Sequence, residues 1–151
     1  MVANISIHEL LKSKDSDEII SVSPQTSVFE ALQKMAEKNI GALLVIENDK
    51  LVGLFSERDY ARKIILKGKS SLDTPVSEIM TREPILVTPA HTVEECMVLM
   101  NKNHIRHLPV IDKEKVVGMV SMRDLVQMII SGQKRRIETL ENYIEGHEYG
   151  H

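Results

Sequence analysis

The sequence predicts an α/β fold of the α+β type: two tandem β-α-β-β-α units packed sheet to sheet with pseudo-twofold symmetry, plus a C-terminal helix. Three observations predict it. The 151-residue chain repeats itself in one ungapped register. Each copy shows the same succession of strand and helix periodicities. A unit of that size also buries too little surface to be comfortably stable alone.

The repeat is read by placing Val22-Ser23-Pro24 over Val87-Thr88-Pro89, after which an offset of 65 holds without a gap to Ile64-Ile65 and Ile129-Ile130. Val28 then meets Val93, Met35 meets Met100, Val52-Gly53 meets Val117-Gly118, and Arg58-Asp59 meets Arg123-Asp124. In each copy a short β-rich piece (Ile19 to Val22; Ile85 to Val87) runs into a proline, which disfavours helix at the residue before it. Val28, Ala31 and Met35, like Val93, Cys96 and Met100, recur at helical spacings. Next come two apolar runs, Ala42 to Ile46 and Leu51 to Phe55, around the turn-forming Glu47-Asn48-Asp49-Lys50. The second copy has Leu108 to Ile111 and Val116 to Val120 around Asp112-Lys113-Glu114-Lys115, so both read as hairpins. A second helix is expected from Ser56 to near Gly68 and from Ser121 to near Gly132, glycine being a common helix stop. The hairpin strands are apolar almost throughout, which implies sheets covered on both faces and two related clefts between the copies. The expected organisation is a lead-in over 1–18, one copy over 19–74, the other over 75–132, and a terminal helix and tail over 133–151.

Hydrophobic residues make up 42% of the chain and charged residues 27%, with a net charge of −3. That supports a real core and gives little electrostatic basis for nucleic-acid binding. Lys134-Arg135-Arg136 reads as a solvated helix face. Cys96 is the only cysteine, which suits a reducing compartment, and its helical spacing with Val93 and Met100 reads as a buried, inert thiol. The N-terminus is charged and lacks a long apolar run, so neither signal peptide nor membrane span is expected and a cytoplasmic location follows. His104 and His107, and His147 and His151, have ligand-like spacing. The first pair straddles a helix-to-strand junction and the second lies in the tail, so no metal is expected. There is no nucleophile elbow, Walker A run or G-x-G-x-x-G, and no enzyme is expected.

The sharpest local feature is Gly53-Leu54-Phe55-Ser56-Glu57-Arg58-Asp59, repeated as Gly118-Met119-Val120-Ser121-Met122-Arg123-Asp124. Ser-x-x-Asp at a helix start is a capping box. The cap leaves unexplained the arginine before each aspartate and the glycine at each strand exit. A helix N-terminus and a serine hydroxyl suit a phosphate, an aspartate can accept from both hydroxyls of a ribose, and arginine pairs bidentately with phosphate oxygens. Ser56, Arg58 and Asp59, with Ser121, Arg123 and Asp124, therefore read as ribose-phosphate recognition.

The duplicated unit, the G-h-h-S-x-R-D segment and Ile105-Arg106-His107-Leu108-Pro109-Val110 resemble a pair of CBS (cystathionine-β-synthase) domains. The similarity extends to stand-alone pairs of bacteria and plant organelles, tail included. Pro75 to Thr81 is similar to the lead-in of a second CBS copy, and Ile7-His8-Glu9-Leu10-Leu11 to that of the first. The resemblance implies adenosine ligands: AMP, ADP or ATP, or NAD, with S-adenosylmethionine less favoured. It implies phosphate at Ser56 and Ser121 and ribose at Asp59 and Asp124. Backbone at Ser23-Pro24 and Thr88-Pro89 would frame adenine, with Ala42 and Pro109 beside the clefts. Arg106, His107 and Arg123 would reach the phosphate of the Asp59 nucleotide. Because Arg106-His107 aligns with the uncharged Gly41-Ala42, unequal sites are expected, the Asp124 cleft being weaker or different in preference.

The second helices carry stripes, Ala61, Ile64 and Ile65 with Val126, Ile129 and Ile130. The resemblance implies their use in a homodimer, which Ile137, Leu140 and Ile144 would join unless they fold back. The implied role is a regulatory module that passes nucleotide state to a partner protein; the alternative is a structural interaction module with vestigial clefts.

Overall fold

The computed structural model describes residues 4–14 and 18–148. Its elements are α1 (Ile7–Ser13), β1 (Ser21–Val22), α2 (Val28–Lys38), β2 (Ala42–Glu47), β3 (Lys50–Ser56), α3 (Glu57–Asp59), α4 (Val93–Asn103), β4 (His107–Asp112), β5 (Lys115–Ser121) and α5 (Met122–Glu148). Helix α3 continues as a π-helical stretch, Tyr60–Ile65. Lys134-Arg135-Arg136, Ile144, the His147/His151 pair and the tail motif Leu140 to Gly146 beyond Asn142 lie outside the described side chains.

Residues that the periodicity assigned to helix faces are buried. Val28, Ala31 and Met35 of α2 point into one core, and Val93, Cys96 and Met100 of α4 into another. Ser27 caps α2 by accepting from the Glu30 N–H, and Thr92 forms a capping box with Glu95 on α4. Burial pushes the Cys96 thiol up to about 11, with Glu95 adding to the rise, so it is a poor nucleophile at neutral pH.

Both hairpins form as expected, each with a bulge at the same place, Val45/Ile46 and Val110/Ile111. Their turns put Asn48 and Asp49, and Lys113 and Glu114, at positive φ, the geometry that matches the twist of a two-residue hairpin. The first strands are shorter than expected. Ser21 and Val22 pair in parallel with Leu44 and Val45, whereas in the second copy only Val87 bridges Val110. Pro109 stands where Leu44 does and has no N–H to extend the ladder toward Ile85. The sheets are therefore β1-β2-β3 and β4-β5. They face each other through Ala42, Leu44 and Leu54 on one side and Val116 and Met119 on the other.

Helix α5 corrects the expectation of a stop near Gly132. It runs unbroken to Glu148, while Gly68, at φ 66°, ends its own helical stretch. Gly132 is followed by Gln-Lys-Arg-Arg, all good helix formers, and Gly68 by Lys-Ser-Ser, so propensity favours continuation only in the second copy. The stripes also split: Ile64 is buried and Ile129 packs against a core, whereas Ile65, Val126, Ile130, Ile137 and Leu140 are exposed.

The lead-ins cross over. Ile7 and Leu10 of α1 lie in the core of the second copy, and Val76, Ile79 and Met80 in the core of the first. The anchoring bonds repeat. Ile7 N–H donates to the His91 carbonyl and His8 N–H to that of Pro89; Val76 N–H donates to Thr26 and Ser77 N–H to Pro24. Each strand glycine makes room for the lead-in behind it: a Cβ at Gly53 would stand 2.5 Å from Met80 Sδ, and one at Gly118 3.0 Å from Leu11 Cδ2.

Candidate functional site

Each Ser-x-x-Asp closes the first turn of its helix. Asp59 Oδ2 accepts from the Ser56 N–H (3.0 Å) and hydroxyl (3.1 Å), and Ser56 Oγ accepts from the Asp59 N–H. Asp124 Oδ2 accepts from the Ser121 N–H at 2.8 Å, and Ser121 Oγ from the Asp124 N–H at 3.1 Å. This reciprocity follows from local spacing alone and so survives in both copies.

Beyond the cap, each aspartate meets a lysine that sequence reasoning missed. Lys63 Nζ lies 3.0 Å from Asp59 Oδ1 and donates to the Ile79 carbonyl. Thr81 Oγ1 completes that carboxylate at 3.4 Å. At the other site Lys14 Nζ lies 3.1 Å from Asp124 Oδ2 and donates to the Met119 carbonyl at 2.9 Å. Lys63 was legible, standing four residues from Asp59 on one helix. Lys14 was not, being 110 residues from Asp124.

The remaining candidates scatter around these carboxylates. The Arg58 guanidinium donates to the carbonyl of His104, the left-handed cap of α4, and so ties the first copy to the second. Arg106 and Arg123 are exposed; the Arg106 carbonyl accepts from Met122 N–H as the Gly41 carbonyl does from Glu57 N–H. His107 sits at the junction of the copies. A Cβ at Gly41 would stand 3.1 Å from Glu57 Oε1 and 3.5 Å from His107 Cε1, so the imidazole of the second copy packs directly against the first copy here. Burial lowers the pKa of His107; the Asp124 carboxylate opposes that shift, and Arg106 and Lys14 deepen it. His107 therefore lies within the field of the Asp124 site as well as beside the first copy.

Ser23 and Thr88 are exposed at the two strand exits. Ser23 N–H donates to Thr26 Oγ1, and Thr88 N–H to His91 Nδ1, so a hydroxyl and an imidazole hold equivalent turns. The Pro24 and Pro89 carbonyls receive the lead-in bonds described above. Ala42 is fully buried between the sheets, and the Pro109 carbonyl accepts from Val87 N–H. Among the described residues no cluster of three or more metal-ligating side chains forms, and no helix is long and apolar enough to cross a membrane.

A duplicated α/β module, with a capped Ser-x-x-Asp helix start in each copy and two sheets facing each other, is the class this architecture defines. The CBS domain family model matches residues 7–66 and 76–131, and the chain belongs to that family. It is 39% identical over 149 residues to the mitochondrial CBS domain-containing protein CBSX3 of Arabidopsis thaliana, covering 93% of this chain and 72% of the relative. A solved CBS-domain structure from Burkholderia ambifaria MC40-6 superposes with a TM-score of 0.82 at 43% identity, covering 85% of this chain and 96% of that one. The CBS domain protein PAE2072 from Pyrobaculum aerophilum, solved in complex with AMP, has a TM-score of 0.70 at 27% identity, covering 80% and 89%.

Proposed function

We propose that this chain is an adenine-nucleotide sensor that binds AMP, ADP, ATP or NAD between its two copies and passes ligand state to a partner protein. The observation that carries the reading is the paired geometry: each copy presents a helix-capping aspartate whose carboxylate sits beside a lysine and a helix N-terminus. Ribose hydroxyls and phosphate are the chemistry that such a set recognises. The AMP complex of the Pyrobaculum relative supports the ligand class. Ser56 and Ser121 then take phosphate, Asp59 and Asp124 ribose, and Arg58, Arg106, His107 and Arg123 the charge near the pseudo-axis. The chain acts as a cytoplasmic homodimer without catalytic activity, the exposed Ile65, Val126 and Ile130 supplying apolar surface for association.

A second reading has one observation in its favour: both carboxylates are already engaged by their own chain, as helix caps and ion pairs. The chain would then be a docking module with vestigial clefts. Thermal unfolding of nucleotide-stripped protein with AMP, ADP, ATP, NAD and S-adenosylmethionine, against a guanosine control, separates the two. At a hundredfold excess over Kd one site contributes about 2.7 kcal/mol. A rise in Tm with adenine ligands alone supports the sensor; no rise with any of them leaves the docking module.

A further inference from the structure

The Lys14 ammonium does with one side chain what backbone and hydroxyl do in the other copy. Beside Asp59, Thr81 N–H donates to the Leu54 carbonyl at 2.8 Å and Thr81 Oγ1 to the carboxylate. Beside Asp124 the equivalent Met119 carbonyl and the carboxylate, here through its capping oxygen Oδ2, are both taken by Lys14 Nζ. The cause is local: the second lead-in forms only a short 3₁₀ turn, Val76–Glu78, before extending along β3, whereas α1 stays helical to Ser13 and cannot pair along β5. We infer that Lys14 is a latch on the Asp124 cleft: a nucleotide engages Asp124 only by displacing the Lys14 ammonium, and in doing so frees the last turn of α1. The inference rests on the nucleotide reading above.

Three observations carry it. A two-handed grip on the ribose hydroxyls needs an open position on each carboxylate oxygen, and Oδ2 of Asp124 already accepts from both Ser121 N–H and Lys14. The displaced side chain has somewhere to go, because the pair borders a cavity of about 640 Å³ between α1 and α5 that Glu9, Ser13 and Gln127 also line. The Lys14 bonds also act at one end of the helix only. The Ile7 and His8 N–H bonds and the burial of Ile7 and Leu10 hold its start, while Leu11 against Gly118 and the Lys14 bonds hold its end. Lys63 differs, because it reaches Asp59 from its own helix and ties it to the second lead-in at Ile79, so its release leaves α1 in place.

Amide hydrogen exchange over residues 8–14 tests the latch. Asp59→Asn confines ligand to the Asp124 cleft while keeping an acceptor for the cap. In that background adenosine is expected to raise exchange in the last turn of α1 severalfold. Adding Lys14→Met raises it without ligand, leaves adenosine nothing to add, and tightens adenosine binding about two- to fivefold, the worth of a half-exposed ion pair. If Asp59→Asn does not fold, Lys14→Met in the wild-type chain gives the same comparison, since ligand at Asp59 displaces no bond that holds α1. Unchanged ligand-free exchange in Lys14→Met overturns the latch, and weaker adenosine binding does so by making Lys14 a ligand-binding group. A wild-type chain that binds no adenine ligand, with α1 still loosened by Lys14→Met, overturns instead the nucleotide reading and leaves Lys14 a structural tie.

Discussion

Asp59 and Asp124 are the same residue in two copies, yet Asp59 is the more deeply held. Its carboxylate is touched by Ser56, Lys63 and Thr81 with a side chain 9% exposed, whereas that of Asp124 meets Ser121 and Lys14 and is 22% exposed. The cap is common because it depends on residues three apart. The surroundings differ for two reasons: Lys63 is replaced in register by Met128, and Thr81 and Lys14 come from lead-ins that the duplication did not keep in register. The backbone cap is thus inherited with the repeat, and the ion pairs around it are rebuilt.

The largest effect that would sharpen this comparison is on stability. Asp59→Ala leaves the part-buried Ser56 N–H without its carboxylate acceptor and takes one of two partners from Lys63, at a buried position, and should cost about 2–3 kcal/mol. Asp124→Ala should cost about 1–2 kcal/mol, the value of a helix cap. Urea unfolding of both variants measures the difference, and equal losses would break the contrast. The strand glycines come next. Gly53→Ala drives a methyl toward Met80 and to 3.0 Å from the Thr81 carbonyl, while Gly118→Ala meets only the mobile end of Leu11. The first should lose about 1–3 kcal/mol by overpacking and the second clearly less; the reverse order in thermal melts would contradict the lead-in packing.

His107 offers a smaller test. Its folded pKa lies below the ordinary 6.5, so the unfolded chain binds the extra proton more readily. The stability linked to this group is present above about pH 6.5 and is lost as pH falls through the lower folded value. Urea midpoints should therefore drop between about pH 7 and pH 5 more in the wild type than in His107→Gln; parallel profiles would remove the histidine from the response. The smallest expected change is Lys63→Met, about 0.5 kcal/mol or less, because the lysine is 42% exposed and exposed pairs contribute little. A loss as large as that of Asp59→Ala would show that the ion pair, not the cap, holds the site.

Much of the fold was legible in the sequence because its signals are local. The faces of α2 and α4 follow from spacings of three and four, the hairpins from paired apolar runs, and the caps from Ser-x-x-Asp. What failed or stayed hidden depended on tertiary context. Gly132 has the appearance of a stop, but the helix formers after it decide the outcome. Pro109 shortens a strand in a partner segment more than twenty residues away. Of the site, both carboxylates and Arg58 were visible. Lys14 was hidden because nothing in a lead-in helix indicates which copy it will join, and Thr81 because it acts through a single bridge to Leu54.

The crossing of the lead-ins also bears on ancestry. A lone lead-in plus body with this geometry would leave its own core uncovered and its amphipathic turn unplaced. Two such chains resolve that by reciprocal exchange, each lending its first turn to the other. A precursor built from one unit would accordingly have been an intertwined dimer, and fusing two units end to end turned an exchange between molecules into a closed circuit within one.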